Sequence, residues 1–307
     1  MKAIDLQVNG YAGTDFCSAN LTAEELHSGC QALDADGFDG ILATLITDSV
    51  ESLCTKLRNL VKLREQDDLA KQRILGFHVE GPFLNPGTGY IGAHEPQHVS
   101  QATPEAARQL LEAGDGLVKL VTLAPEQDPG AATTKFLASQ GVRVAAGHCN
   151  PSLDELSAAI DAGLSMVTHF GNGCPVDLPR HDNVLQRFLH FRKDLHFSFI
   201  PDGAHAPFFA LRNYIDLIGL DRITMTTDAI TAAGLGPGLH ELSGITVEVD
   251  EAGVARRPGS PNLAGSTLTL PRMLKCLREG LGLDEQQSTQ VLDTNPRKLG
   301  FAPDTGQ

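Results

Sequence analysis

Glu80 closes an apolar run, Gly76-Phe77-His78-Val79, and the turn Gly81-Pro82 follows at once. A carboxylate so placed needs a partner, either a neighbouring Lys, Arg or backbone amide, or a metal ion. Other short apolar runs end in groups of the same reactive kind. His148 follows Gly147, His169 follows Thr168, Asp202-Gly-Ala-His205 follows a seventh run, and Asp228 stands between Thr227 and Ala229. The first run ends Gln7-Val8-Asn9. One such residue is commonly structural, but a ring of Glu, His, His, His and Asp at equivalent places is hard to obtain from packing alone. Glu80, His148 and His169 suit zinc or a similar divalent ion with a fourth position open to water, which is the ligand count of a catalytic site. Asp228 is then placed to act as general base and acid toward that water and the leaving group. It also reads as a helix N-cap before a Gly-rich loop.

The elements that must position these residues recur with a regular rhythm. Eight short apolar runs, at 4–8, 41–46, 74–79, 118–123, 142–146, 165–168, 195–200 and 223–227, alternate with amphipathic segments. Several of these segments carry helix starts, among them Thr22-Ala-Glu-Glu, Thr103-Pro104-Glu105 and the capping box Ser152-Leu-Asp-Glu155. Eight strand–helix repeats predict a (β/α)₈ TIM barrel, whose active site stands at the C-terminal ends of the strands. An open doubly wound sheet is the competing fold. It requires a Gly-rich phosphate fingerprint after the first strand, and Asn9-Gly-Tyr-Ala-Gly13 has the wrong spacing. After the eighth run the pattern predicts a β-hairpin insertion over about 239–257 and closing helices over about 267–299, in one domain spanning 1–307.

Composition sets the outer limits. The chain has 307 residues, 41% hydrophobic and 20% charged, with a formal net charge of −14. That charge disfavours nucleic acid and anionic membrane surfaces as partners. No run approaches the roughly 20 apolar residues of a membrane span, and the first residues do not read as a signal peptide, so a cytoplasmic location is expected. The six cysteines include no Cys-x-x-Cys pair and are expected to be reduced, although Cys149 and Cys174 neighbour the proposed ring and could supply a nucleophile.

The ordered set of motifs resembles the N-acetylglucosamine-6-phosphate deacetylases of the amidohydrolase superfamily. The matching pieces are Asp5-Leu-Gln-Val-Asn-Gly10, His78-Val-Glu-Gly-Pro-Phe-Leu-Asn85, Gly92-Ala-His94, Thr122-Leu-Ala-Pro-Glu126, Gly147-His148, Thr168-His169 with Asn172, Asp202-Gly-Ala-His205, Thr227-Asp228-Ala229 and Leu263-Ala-Gly-Ser266. The resemblance implies metal-dependent hydrolysis of the N-acetyl group of an amino sugar phosphate. It assigns Glu80, His148 and His169 to one divalent ion, zinc before iron, cobalt or manganese, and Asp228 to acid–base catalysis. It further implies substrate contacts at Gln7, Ala93, His94, Asn172, Gly173, Arg180, His205, Leu263, Ala264 and Gly265. Arg180 is the expected phosphate arginine, with a solvated loop charge as its plain alternative. Gln7 and Asn9 stand where many amidohydrolases carry His-x-His for a second metal. Amides are poor zinc ligands, which implies the single-metal branch. A homodimer is implied too.

Family members usually add a small β-sandwich, which this sequence does not show. The stretch after His169, Phe170-Gly-Asn-Gly-Cys174, also differs from the usual Leu-(Phe/Tyr)-Asn-Ala-Met. Two alternatives therefore stand beside the first reading: an amidohydrolase of the same mechanism acting on a small amide without phosphate, and a non-catalytic sugar-phosphate binding barrel.

Overall fold

The computed structural model describes residues 2–260 and 262–302. All eight apolar runs are strands: β1 Ile4–Val8, β2 Gly40–Ile46, β3 Ile74–Glu80, β4 Val118–Leu123, β5 Arg143–Ala146, β6 Leu164–Val167, β7 His196–Phe199 and β8 Ile223–Met225. They pair in parallel in chain order, forming one eight-stranded sheet curled into a barrel. The near-continuous burial of each run is what a parallel sheet covered on both faces requires. Among the described residues the α-helices are α1 Ala23–Asp36, α2 Val50–Glu65, α3 Asp68–Arg73, α4 Pro104–Ala113, α5 Ala132–Ser139, α6 Leu153–Asp161, α7 Val184–His190, α8 Phe208–Ile218, α9 Leu270–Lys275, α10 Glu285–Thr289 and α11 Asn295–Lys298. The Ser152/Glu155 capping box opens α6 as its sequence predicts, and Thr22/Glu25 forms a second one on α1. No described helix is long and apolar enough to cross a membrane.

Inside the barrel, polarity rises from floor to mouth. Ile4, Leu6, Leu42, Leu120, Ala145 and Met166 fill the floor, and Phe301 seals it from below. One level up stand Thr44, His78, Thr122 and Thr168. His78 Nε2 lies 2.7 Å from the Thr122 hydroxyl, which is 2.6 Å from that of Thr168. Period-two alternation along each strand then lifts Glu80 above His78, and the backbone after Thr168 delivers His169.

The sheet closes differently from how it runs. Among the described residues β8 and β1 share no ladder, only a bridge between Val8 and Ala229 and hydrogen bonds from the Asn9 and Gly10 amides to the Ala229 carbonyl. The Asp5 carboxylate adds side-chain bonds across the gap. It accepts from the Thr226 hydroxyl and from Thr227 N at 2.9 Å, residues more than 200 positions away in sequence. Burial raises the Asp5 carboxyl above the usual carboxylate range, and these donors act against that rise.

The insertion after β8 is larger than the expected hairpin. It is a three-stranded antiparallel sheet: β9 Gly238–Leu242, β10 Ile245–Val249 and β11 Ala255–Arg256. The β10–β11 hairpin turns at 250–254, within the expected hairpin. β9 carries no apolar alternation because all of its residues but Leu242 remain at least partly exposed. The closing helices are also more broken than predicted. Residues 267–269 are not helical, α9 runs into a π-helical turn at Cys276–Gly280, and a second such turn, Gln290–Thr294, separates α10 from α11.

Candidate active site

Glu80 is 3% exposed at the end of β3 and is the hub of the site. Its Oε1 lies 2.8 Å from His169 Nε2 and 3.4 Å from His148 Nε2. Its Oε2 accepts from Gln7 Nε2 at 3.0 Å and is 3.9 Å from His94 Nε2. One ligand atom from each of Glu80, His148 and His169 falls within 4.8 Å of the others, and all three residues are buried. Two contacts bear on whether this set suits a metal. His148 Nδ1 is 2.7 Å from the Tyr90 carbonyl oxygen, so the proton sits on Nδ1 and the Nε2 lone pair faces Glu80. Among the described residues His169 Nδ1 is buried without a partner, and its Nε2 is the nitrogen turned to Glu80. A carboxylate and two imidazoles from three strands therefore form a three-ligand set suited to a divalent ion.

The backbone is unusual where these groups leave the strands. His148 has φ of 50°, His169 of 27° and Asp228 of 50°, all in the left-handed region that non-glycine residues avoid. Such strain, about 1–3 kcal/mol at each site, concentrates where the surrounding structure holds a functional group in place. The His148 ring is gripped between Gly92 and Gly173. A Cβ on either would come within 2.9 or 2.6 Å of it, so both positions require glycine.

His94 stands beside the set with its ring 4.4 Å from that of His148, edge to face. Thr47 N–H points at its Nδ1 at 3.4 Å, which leaves the proton on Nε2, the atom turned toward Glu80 and His148. Burial, followed by the neighbouring His148, pushes His94 down to about 3, so the ring is neutral. Burial opposes ionisation of Glu80, yet the His169 imidazole, 2.8 Å from Oε1, holds its carboxyl well below the usual carboxylate range. Asp228 is the opposite case. Burial and the Glu80 charge raise it to about 6. Asn9 Nδ2 donates to its Oδ1 at 2.7 Å. On the loop after β7, His205 Nδ1 sits 2.7 Å from Asp202 Oδ2, fixing the ring's orientation.

These groups share a cavity of about 300 Å³. Ala93, His94, Asn172, Gly173, His205, Leu263, Ala264 and Gly265 all line it, together with Glu80, His148, His169 and Asp228. Residues 263–265 arrive there because Ser266 pairs through its backbone with Asp228 and Ile230 beyond β8. Gln7 and Arg180 are the exceptions. Gln7 stands behind Glu80 and reaches it rather than the cavity. Arg180 is exposed on the loop after Val176 and has no hydrogen-bond or ion-pair partner among the described residues. No Lys or Arg is among the described residues that line the cavity. Asn9, Ile46, Ile230, Leu242, Pro175 and Val176 line it unforeseen. Asn9 was legible as a neighbour of the site, but Leu242 belongs to the strand with no apolar pattern. Burial pushes the Cys149 thiol well up and that of Cys174 up as well, so neither is a ready thiolate nucleophile.

No family model matches the chain. It is similar to the N-acetylglucosamine-6-phosphate deacetylase of Haemophilus influenzae, 30% identical over 303 residues, which are 97% of this chain and 76% of that protein. The enzyme of the same name from Bacillus subtilis is 29% identical over 281 residues, 90% of this chain and 68% of that one. Among solved structures, an N-acetyl-D-glucosamine-6-phosphate deacetylase variant from Mycobacterium smegmatis, in complex with N-acetyl-D-glucosamine-6-phosphate, superposes with a TM-score of 0.88 at 30% identity. That match covers 97% of this chain and 77% of the other.

Proposed function

The chain belongs to the N-acetylglucosamine-6-phosphate deacetylase family, and from that premise we propose that it hydrolyses N-acetylglucosamine 6-phosphate to glucosamine 6-phosphate and acetate. The observation that carries this reading is the convergence of Glu80, His148 and His169 on one point of a cavity that Asp228 also lines. Those three residues would hold one divalent ion, with zinc the first choice for a Glu-His-His set. Such an ion supplies Lewis acidity for the amide carbonyl and makes water a stronger acid.

The side chains divide the remaining work. Asp228 takes a proton from the attacking water as its oxygen adds to the acyl carbon. It returns that proton to the sugar nitrogen as the carbon–nitrogen bond breaks, so acetate and free amine leave in balance. The neutral His94 offers Nε2–H to the carbonyl oxygen as negative charge grows on it. Burial of every group keeps these interactions in a low-dielectric setting, where they are strong. In this reading the sugar lies against Leu263, Ala264 and Gly265, with His205 near the acyl group or sugar, and the phosphate lies toward Asn172 and Gly173, on the loop that continues to Arg180. A homodimer belongs to this reading. So does a reducing, cytoplasmic setting, with which six free thiols accord.

The absence of Lys and Arg from the described cavity lining favours one alternative, a substrate without phosphate. Acetate release from N-acetylglucosamine 6-phosphate and from N-acetylglucosamine, by protein whose metal is counted per chain, separates the two. Release from the phosphate ester with about one metal per chain is the expected result. Release from the unphosphorylated sugar alone moves the assignment to the alternative, and bound metal with release from neither overturns the substrate.

A further inference from the structure

β1 gives no group to the chemistry above, yet Gln7 on it and Asn9 just past its end reach the two carboxylates that do the work. Gln7 Nε2 donates to Glu80, and Asn9 Nδ2 donates to Asp228. Glu80 also has three imidazoles within 4 Å, so Gln7 is one partner of several. Asn9 is alone. Among the described residues no other hydrogen bond reaches the Asp228 carboxylate.

The surroundings of Asn9 fix which way its amide points. The side chain is buried, and Nδ2 lies 2.7 Å from Asp228 Oδ1 and 3.3 Å from the Ala229 carbonyl oxygen, so both amide protons face acceptors. Reversing the amide would set Oδ1 against a carboxylate and a carbonyl. In the orientation observed, Oδ1 is buried with no partner among the described residues. A buried unsatisfied acceptor is destabilising, and a donor to Asp228 is what the fold retains in return. The main chain holds the same residue, since Asn9 N donates to Ala229 O at 2.8 Å. Asp228 itself leaves its strand in the left-handed region, where its side-chain direction depends on such a tether.

We infer that Asn9 is a positioning residue for Asp228. Its amide occupies Oδ1 and leaves the second carboxylate oxygen to exchange the proton between water and the sugar nitrogen. This rests on Asp228 being the base of the reaction proposed above, so the test includes one readout that needs no turnover. Steady-state kinetics on N-acetylglucosamine 6-phosphate are measured for the zinc-loaded full chain and its Asn9→Ala and Asn9→Asp variants, with zinc counted per chain. In Asn9→Ala, kcat falls by about 10- to 100-fold while metal content is unchanged. KM stays within about threefold. Asn9→Asp keeps the volume but loses the donor and sets a second carboxylate against Asp228, so it is the slower of the two. A role in packing alone predicts the reverse order. In ¹H–¹⁵N spectra, the side-chain amide signal that disappears in Asn9→Ala shifts in Asp228→Ala. The inference is overturned by an undiminished kcat in Asn9→Ala, by an Asn9→Asp variant faster than Asn9→Ala, or by an amide signal indifferent to Asp228→Ala. If wild-type protein released no acetate but the amide signal still answered to Asp228→Ala, the tether would stand and the functional reading would fall.

Discussion

Asp228 has the proton affinity that a base working near neutrality needs, and its environment explains why. Burial and the Glu80 charge lift it to about 6, while His169, His205 and the Asn9 donor pull the other way. A divalent cation held by Glu80, His148 and His169 would lower the value further, because it favours the charged form. The sign of the pH effect follows. Below its folded pKa the carboxyl is protonated and cannot accept a proton from water, so kcat/KM declines on the acid side with a midpoint at about pH 6 or lower. Asp228→Asn removes that acid limb and lowers kcat by about 10²- to 10⁴-fold. Rate profiles from pH 4.5 to 8 check both, and an acid limb that survives in the variant assigns it to another group. At this scale the sequence was informative about types and silent about directions. Glu80, His148, His169 and Asp228 could be named because each ends an apolar run. That Gln7 faces Glu80 instead of the cavity could not, because it depends on the register shift between Asp5 and Val8 on β1.

At the scale of elements, the small sheet of β9, β10 and β11 is part of the site. Leu242 lines the cavity, and Ile230, Ala264 and Ala93 pack with the sheet's own apolar residues to form the wall beside it. Just past β11, Arg257 Nη2 donates to the Ala93 carbonyl at 2.6 Å and to the Glu95 carboxylate at 2.7 Å, gripping the loop on both sides of His94. Both partners of that ion pair are about one-third exposed, so its worth to global stability is at most about 1 kcal/mol. Its effect on the position of His94 is expected to be larger than its effect on stability. Arg257→Ala lowers kcat/KM by roughly tenfold with unchanged zinc content and little change in melting temperature. A variant with full activity would detach the sheet from the chemistry. The eight barrel strands were legible because burial on both faces writes a continuous apolar run. β9 was not, because a mostly exposed strand paired on one edge leaves no such mark, and with it went the signal for Leu242.

Taken whole, the molecule is a barrel graded from an apolar floor to an ionisable mouth, and one interval of its wall is built differently from the other seven. Between β8 and β1 a bridge, a few amide bonds and the Asp5 carboxylate replace a ladder. Local opening follows the weakest set of backbone hydrogen bonds, at a free energy below that of global unfolding. This wall should therefore give way first on heating, as a seam parts before the cloth tears. Asn9 lies on one side of it and Asp228 on the other, so parting separates the two side chains while the other strands and the outer helices are still in place. Catalysis should then fail at a lower temperature than the helical circular dichroism signal, and Asp5→Asn, which weakens the seam, should widen the interval. Coincident losses in both proteins would mean that the barrel has no such seam. The thermal limit of this enzyme is in that sense set by the line along which its barrel is joined, and not by the depth of its core.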